Sequence, residues 1–220
     1  MYRPQKPISY LITSGQATAA TTSNSKDFQH ILQLIEAAVA AKIDLIQIRE
    51  KALTTRVLYE LARSAAALTR GSATKLLVND RADVAAAAGA DGVHLTTRSL
   101  PAPVVRQSFG NDFLIGVSTH SLAEARAARD ARADFAVFGP VFETPAKARY
   151  GPAVGLEQLK HVCVELKPFP IFAIGGITED NFVDCLRAGA QGIAAIRMFD
   201  DPERLPGVVG KIKSEPSMGL

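Results

Sequence analysis

The sequence predicts an α/β fold made of a single (β/α)8 TIM barrel. Eight short apolar runs alternate with longer, alanine-rich segments in which apolar residues recur with helical spacing. The apolar runs lack a regular polar alternation, which is typical of strands that are buried on both faces. The eight predicted strands cover residues 8–13, 43–48, 75–78, 92–95, 113–117, 135–138, 170–174 and 192–196.

Local signals mark the ends of the predicted helices. Thr54 precedes the second helical segment, and Ser121 is followed after one helical turn by Glu124, which is typical of a helix N-terminus. Gly89 and Gly189 each lie between an alanine-rich segment and an apolar run, where a glycine can end a helix in the left-handed conformation. Strict alternation of strands and helices indicates a parallel sheet with helical crossovers.

An open, doubly wound sheet is the alternative to a closed barrel. Such a sheet usually has fewer strands and a glycine-rich loop after the first strand, whereas Ser14, Gly15 and Gln16 follow the first strand here. The sequence therefore favours the closed barrel. We expect it to occupy residues 1–212, with a disordered tail at 213–220.

The composition narrows the classes of function. Hydrophobic residues make up 47% of the 220 residues and the mean hydropathy is +0.09, which is too apolar for a disordered chain. The net charge of +3 and the lack of a long apolar segment give no reason to expect a nucleic acid or membrane partner. We expect a cytoplasmic protein. Cys163 and Cys185 lack metal-ligand spacing, so we expect them to be buried, small hydrophobic residues.

Polar residues follow the second predicted strand, where a barrel of this kind places its reactive groups. Gln47, Arg49 and Lys51 alternate with other residues, and period-two spacing in an extended segment places all three on one face. Two cations and an amide on one face suit a diphosphate, because Arg offers a planar fork and Lys a point charge. An ordinary salt-bridged surface is the alternative interpretation.

The third and fifth predicted strands also end in polar residues. Asn79 and Asp80 follow the third strand, where the Asp80 carboxylate could hold Mg²⁺ together with a substrate phosphate or the two residues could cap the next helix. Ser118 could reach a phosphate oxygen, and His120 is placed to act as an acid or base near neutral pH. His94 lies within a predicted strand, and we expect it to be packed or hydrogen-bonded inside the barrel.

The last three strands complete the predicted site. A long loop after the sixth strand is typical of a functional flap, expected over residues 144–154, and its Lys147 is a candidate phosphate ligand. Gly175 and Gly176 come before a helical segment, so their backbone N–H groups could turn toward an anion. Together with Ile196 and Arg197 at the end of the eighth strand, they predict a phosphate site.

Taken in order, these segments resemble the thiamine phosphate synthase / TenI family over nearly the whole barrel. The matching segments are QIREK at 47–51, NDRAD and GADGVHL within 79–95, GVSTHS at 116–121, GPVFET at 139–144 and AIGGI at 173–177.

The resemblance implies a synthase that joins a thiazole phosphate to a hydroxymethylpyrimidine carried as its diphosphate, with release of pyrophosphate. It implies diphosphate binding by Gln47, Arg49, Lys51, Asn79, Ser118 and Lys147, and Mg²⁺ binding by Asp80. It also implies that the thiazole phosphate is bound by Thr144, by the Gly175 and Gly176 turn, and by Ile196 and Arg197. His120, Lys147 and Arg49 are the candidate catalytic residues. The expected partners are these two small phosphorylated molecules, and a homo-oligomer is left open.

Three positions depart from the family's pattern. Ser99 lies where a second Mg²⁺ carboxylate is expected, with Arg98 beside it, and the loss of that carboxylate should weaken Mg²⁺ binding. Ala146 replaces a threonine in the flap segment, and Arg197 replaces a serine on the eighth strand.

These departures leave two other functions open. A TenI-type thiazole tautomerase needs no metal or diphosphate, and His120 matches the residue that moves the proton in that reaction. A catalytically silent relative would keep only a phosphate-binding site. The retained Gln47, Arg49, Lys51 and Asp80 favour the synthase, because a single phosphate needs less charge.

Overall fold

The computed structural model describes residues 6–96, 98–143 and 153–216. Eight parallel strands form a closed barrel in which each strand pairs with its neighbours in the sequence, and β8 pairs with β1. The predicted (β/α)8 barrel is therefore confirmed. Helices lie between successive strands and cover the outside of the barrel.

The strands are β1 Ile8–Ile12, β2 Leu45–Ile48, β3 Lys75–Asn79, β4 Gly92–Leu95, β5 Leu114–Thr119, β6 Phe135–Phe138, β7 Ile171–Ile174 and β8 Gly192–Ala195. The helices are α1 Lys26–Ala40, α2 Thr55–Thr69, α3 Ala82–Ala88, α4 Ala102–Phe109, α5 Leu122–Asp130, α6 Gly155–Leu166, α7 Phe182–Arg187 and α8 Leu205–Ser214. A short 3₁₀ helix, Arg197–Phe199, follows β8.

The end of the chain differs from the sequence prediction. α8 continues through Lys213 and Ser214, so these two residues are helical and are not part of a disordered tail. Lys213 Nζ donates to the backbone carbonyl of Pro7 at 2.9 Å and pairs with the Asp44 carboxylate. These contacts hold the last turn of α8 against the start of β1. They could not be read from the local sequence, which contains only a basic residue near a helix end.

The same four-residue turn precedes each even-numbered strand. Its first residue is Ala, its second adopts a positive φ, and its last is Asp in three of the four copies. The turns are Ala41 to Asp44, Ala88 to Asp91, Ala131 to Asp134 and Ala188 to Gln191, with φ values of 62° at Lys42, 75° at Gly89, 62° at Arg132 and 101° at Gly189. The two glycines confirm the helix ends that the sequence predicts.

The aspartates of these turns tie neighbouring strands together. Asp44 accepts the Ser9 backbone N–H at 2.7 Å, and Asp134 accepts the Ile115 backbone N–H at 2.7 Å. Asp91 does the same for the second residue of β3 at 2.9 Å. Because a carboxylate that accepts backbone N–H groups makes strong hydrogen bonds, the N-terminal end of the barrel is pinned at three places.

Aromatic side chains fill the inside of the barrel. The rings of Phe135 and Phe172 stack with centroids 4.7 Å apart, and Tyr10 meets Phe135 edge-on at 5.7 Å. Gly116 leaves room for this cluster, since a Cβ there would lie 2.4 Å from the Phe135 ring. The barrel is thus a packed core, and a ligand has to bind at the ends of the strands.

Two other expectations concern the cysteines and the membrane. Cys163 and Cys185 are free thiols, half-buried and buried respectively, and burial raises the pKa of both to about 12. This agrees with their expected role as small hydrophobic residues. Within the described ranges, no helix is long and apolar enough to cross a bilayer.

We predict that Asp134→Ala destabilises the protein by about 2–4 kcal/mol, because it leaves the buried Arg106 guanidinium without its anion and Ile115 N–H without an acceptor. Urea unfolding of the variant measures this loss. The matched control is Asp130→Ala, which removes only an exposed pair with Arg129 and should change the stability by less than about 0.5 kcal/mol. Equal losses in the two variants would contradict the proposed role of these turns.

Candidate active site at the C-terminal ends of the strands

The predicted site residues in the described ranges lie at the C-terminal ends of the barrel strands and in the loops that follow, a region called here the C-terminal rim. β2 ends at Ile48, Gln47 is buried inside the barrel, and Lys51 lies in an exposed turn beyond the strand. Because the period-two spacing applies only while a strand continues, the shared face of Gln47, Arg49 and Lys51 stays a prediction.

Gln47 belongs to a chain of buried hydrogen bonds across the top of the barrel interior. Gln47 Nε2 donates to Tyr10 Oη at 3.0 Å. Tyr10 Oη lies 3.1 Å from His94 Nδ1, and His94 Nε2 lies 2.9 Å from Ser118 Oγ. This interior hydrogen-bond chain (Gln47, Tyr10, His94 and Ser118) joins β2, β1, β4 and β5. It brings together two of the predicted diphosphate ligands, and it confirms that His94 is hydrogen-bonded inside the barrel.

His94 is electrically neutral at physiological pH. Burial disfavours its charged form and lowers its pKa to about 3. The charge of Asp80 raises this pKa and that of Arg49 lowers it, and both effects are smaller than the effect of burial. Since both charges act on one buried ring, Asp80 and Arg49 lie near the same point of the C-terminal rim.

Asp80 lies just beyond β3 with its backbone in the left-handed region, at a φ of 61°. Its carboxylate accepts hydrogen bonds from Asn79 Nδ2 at 3.0 Å, from Thr96 Oγ1 at 3.2 Å and from Ser99 Oγ. α3 begins two residues later with Arg81 as its N-cap and without a side-chain cap. The helix-cap alternative for Asp80 is therefore wrong, and its carboxylate faces the C-terminal rim instead.

A cleft of about 340 Å³ opens beside this carboxylate. Lys51, Asn79, Asp80 and Arg81 supply its polar walls, and Ile48, Glu50, Leu53 and Leu58 complete its lining. Two cations and an amide from two adjacent strand ends thus line one space together with the carboxylates of Asp80 and Glu50. Such a space can receive a polyanion together with a divalent cation.

The side chains around Asp80 fit Mg²⁺ only in combination with a substrate. In the described part of the chain, no three His, Cys, Asp or Glu side chains are grouped so that they could hold a metal ion. Mg²⁺ often binds through one or two carboxylates, water and substrate phosphates, and Asp80 with its neighbouring hydroxyls can supply such a partial set. Ser99, at the position expected for a second carboxylate, donates to Asp80 instead of offering a second negative charge.

The loop after β1 is held against the end of β2 by a residue that the sequence analysis did not single out. The buried carboxylate of Glu50 accepts the backbone N–H groups of Gly15 at 3.1 Å and Ala17 at 3.0 Å. Thr13 Oγ1 accepts the Arg49 backbone N–H at 2.9 Å. Gly15 has a φ of 74°, and a Cβ there would lie 3.2 Å from the Arg49 backbone carbonyl oxygen, so a glycine suits this close approach of the two loops.

His120 lies at the end of β5 with its ring exposed. Its Nδ1 lies 2.5 Å from the backbone carbonyl of Gly139, and its backbone N–H donates to Glu124 at 2.6 Å. Because a carbonyl can only accept, Nδ1 carries the proton in this contact and Nε2 of the neutral ring is left as a base. Ser121 caps α5 by accepting the Glu124 backbone N–H, as the sequence predicts.

The two glycines after β7 form a turn that packs against the loop after β6. Gly175 and Gly176 have φ values of 99° and 67°. A Cβ at Gly175 would lie 2.5 Å from Pro140 Cα, and one at Gly176 would lie 2.6 Å from Phe142 Cβ. The turn therefore requires glycine for two reasons, its backbone conformation and this close packing.

Several predicted residues complete the rim or lie outside the described residues. Ile196 is half-buried at the end of β8, and Arg197 is exposed at the start of the 3₁₀ helix. Thr144, Lys147, Ala146 and most of the expected flap 144–154 lie outside the described ranges. The roles of all these residues as ligands stay predictions.

Tyr10, Thr96 and Glu50 are not among the residues predicted from the sequence. Tyr10 carries a signal, because a phenol within a mostly apolar buried strand needs a hydrogen-bond partner. Glu50 carries a weaker signal. It is a carboxylate close to the end of a buried strand, and a carboxylate that is buried there needs hydrogen-bond partners. No sequence signal points to Thr96, since its contact with Asp80 depends on how the loop after β4 folds back.

Comparison with known proteins places this geometry in one family. A family model described as thiamine monophosphate synthase matches residues 10–199. A thiamine-phosphate synthase of Archaeoglobus fulgidus is 43% identical over 176 residues, 78% of this chain and 81% of that one. A thiamine-phosphate synthase of Moorella thermoacetica is 41% identical over 165 residues, 75% of this chain and 78% of that one. The solved thiamine phosphate pyrophosphorylase from Pyrococcus furiosus superposes with a TM-score of 0.76 at 31% identity and covers 94% of this chain and 98% of its own.

We predict that Gly176→Ala destabilises the protein by about 1–3 kcal/mol, because it combines a positive φ with a close backbone contact. Gly210→Ala is the matched control. Gly210 is an exposed residue of α8 with open space around its Cβ position, so the same substitution should stabilise the protein by about 0.5–1 kcal/mol. Thermal unfolding measures the direction of the stability change in both variants, and a stabilised Gly176→Ala would contradict the requirement for glycine at this position.

We predict that the buried His94 makes the protein less stable as the pH falls from 6.5 toward 5. Its folded-state pKa of about 3 lies below the unfolded value, so in this window the unfolded chain binds a proton that the native state does not. The free energy of unfolding should fall by about 1 kcal/mol per pH unit from this residue alone. Urea unfolding at several pH values measures the slope.

In His94→Gln, the free energy of unfolding should lose the part of its pH dependence that His94 causes. His161→Gln changes an exposed histidine on α6 and should keep this pH dependence. The same slope in all three proteins would show that His94 is not the group responsible.

Proposed function

This chain belongs to the thiamine monophosphate synthase family, and we propose that it joins a hydroxymethylpyrimidine diphosphate to a thiazole phosphate with release of pyrophosphate. The proposal rests above all on the cleft beside Asp80. There two cations, an amide and two carboxylates come together, and the charges of Asp80 and Arg49 both act on His94 of the interior hydrogen-bond chain. This is more charge than a single phosphate requires.

The proposed reaction breaks one bond and forms another at the same carbon. The bond between the pyrimidine methylene and the diphosphate oxygen breaks, and both electrons leave with the pyrophosphate. The positive charge that develops on the methylene is captured by the lone pair of the thiazole nitrogen. Catalysis therefore depends on stabilising the leaving oxyanions and on keeping water away from the methylene.

The chain's own residues divide this work. Arg49 and Lys51 supply positive charge to the diphosphate, and Lys147 is a candidate for the same role from the loop after β6. Asn79 and Ser118 can donate hydrogen bonds to its oxygens. The apolar walls of the cleft reduce the competition from water, which strengthens these electrostatic interactions.

We propose that Mg²⁺ binds with the diphosphate at Asp80. When bound, it would neutralise negative charge on the leaving pyrophosphate. Asp80 would hold it, with Thr96 and Ser99 orienting the carboxylate through their hydroxyl groups. One carboxylate is a weak site without substrate, so we expect the metal and the diphosphate to bind cooperatively.

The thiazole phosphate would bind on the opposite side of the C-terminal rim. The Gly175 and Gly176 turn presents backbone there without side chains, and Arg197 at the end of β8 adds a positive charge. Arg197 in place of a serine would bind the phosphate through charge in addition to hydrogen bonding. Thr144 is a candidate for the same phosphate.

The decisive experiment measures pyrophosphate release from the two substrates with and without Mg²⁺. We predict Mg²⁺-dependent release that falls about 100-fold or more in Asp80→Asn, which removes the charge but keeps the size of the side chain. Asp130→Asn, at the opposite end of the barrel, is the matched control and should release pyrophosphate like the wild type.

Ser99→Asp should lower the Mg²⁺ concentration needed for half-maximal release, because it supplies a second carboxylate beside Asp80.

The tautomerase alternative is favoured by one contact, the hydrogen bond that leaves His120 Nε2 as a base at the rim. It predicts no pyrophosphate release, and metal-free proton exchange on a thiazole carboxylate phosphate that is lost in His120→Ala. Binding of pyrophosphate without either turnover would indicate a silent relative. Either result would overturn the proposal that the protein is a synthase.

A further inference from the structure

The interior hydrogen-bond chain has a direction that follows from counting its hydrogens. Gln47 Nε2 donates to Tyr10 Oη, so the amide hydrogen lies between these two atoms. Tyr10 is fully buried and burial raises its pKa, so the phenol keeps its single hydrogen. In its contacts that hydrogen has one acceptor, His94 Nδ1 at 3.1 Å. If His94 Nδ1 carried a hydrogen instead, the phenol O–H would be buried without an acceptor.

The tautomer of His94 follows from this step. Nδ1 accepts from Tyr10, and the neutral ring must therefore carry its hydrogen on Nε2. Nε2 lies 2.9 Å from Ser118 Oγ and donates to it. Within the described residues every buried side-chain nitrogen and oxygen has a partner, which agrees with this assignment.

Ser118 is the last member of the interior hydrogen-bond chain. Its oxygen accepts from His94, so its own hydroxyl hydrogen is not used in that contact and is available to another acceptor. Ser118 is half-buried near the end of β5, at the C-terminal rim. A serine that is free to rotate could turn either a lone pair or its hydrogen toward a ligand, whereas this one is set to donate.

We propose that Tyr10 and His94 are positioning residues that hold Ser118 as a hydrogen-bond donor toward an oxyanion of the substrate. The inference rests on the proposed function, in which that oxyanion belongs to the diphosphate. A donor oriented before the reaction stabilises developing negative charge without having to reorganise. The Tyr10 hydroxyl also accepts from the Gln47 amide, so this one phenol orients two predicted diphosphate ligands, Gln47 and Ser118.

The first test is made on the wild-type protein and needs no variant. Two-bond ¹H–¹⁵N correlation spectra of protein labelled in histidine report which ring nitrogen carries the hydrogen, and His94→Gln assigns the signal. We expect His94 to be neutral with its hydrogen on Nε2. A hydrogen on Nδ1 would overturn the inference whatever the enzyme activity shows.

The second test separates positioning from packing. Tyr10→Phe keeps the ring and removes only the hydroxyl, and we expect kcat to fall about tenfold, the equivalent of one hydrogen bond, with a smaller change in KM. In a Ser118→Ala background the same substitution should cost clearly less, because part of its effect acts through Ser118. Tyr59→Phe, on the outer helix α2, is the matched control and should leave kcat unchanged. Equal losses in both backgrounds would contradict the coupling.

The inference can be tested even if the proposed function fails. If the wild type releases no pyrophosphate, the affinity for inorganic pyrophosphate with Mg²⁺ is measured by calorimetry in the wild type, Tyr10→Phe and Ser118→Ala. Weaker binding in both variants supports the positioning role, and affinities equal to that of the wild type overturn it. Failure of the synthase proposal is thus distinguishable from failure of the inference.

Discussion

Closure of the parallel sheet is the constraint on which the rest of this protein depends. Hydrogen bonds between β8 and β1 complete a ring in which every strand points the same way, so all eight C-terminal ends meet at one rim. Asp80 and Arg49, which follow β3 and β2, act on the same buried histidine of β4 because these parallel strands end side by side at this rim. The repeated turns before the even-numbered strands hold the opposite end, where Asp44, Asp91 and Asp134 each bind a neighbouring strand.

The barrel interior changes character along its axis. Aromatic rings pack its middle, and above them Gln47, Tyr10, His94 and Ser118 replace apolar contacts with hydrogen bonds. Burying Gln47, Tyr10 and His94 is unfavourable unless each finds a partner, and the half-buried Ser118 supplies one for His94. The structure satisfies them in one continuous chain that ends at the C-terminal rim, and the same burial keeps the His94 ring neutral. Core stability and the orientation of a candidate ligand are therefore properties of one set of side chains.

Much of the site could be predicted because the rule that places it is topological. Once eight strands are recognised, polar residues at their ends must converge, and Gly175 and Gly176 do lie at the end of β7 with positive φ values. The shared face predicted for Gln47, Arg49 and Lys51 is not decided by the strand itself, since β2 ends before Arg49 and the period-two rule no longer applies there. The helix-cap alternative for Asp80 was wrong, because the left-handed backbone at that residue turns its carboxylate toward Thr96 and Ser99.

The sequence by itself determined the strand count, the parallel arrangement, the family resemblance and the list of residues at the strand ends. The strand count, the parallel arrangement and the residues at the strand ends follow from local patterns of apolar and polar residues, and the resemblance follows from motifs matched in order along the chain. Only the tertiary structure decided which of those residues touch. The partners of Tyr10, the hydrogen bond from Ser99 to Asp80 and the burial of Glu50 depend on strand register and loop folding. These depend on contacts between residues distant in the chain, and such contacts leave no periodic signal in the sequence.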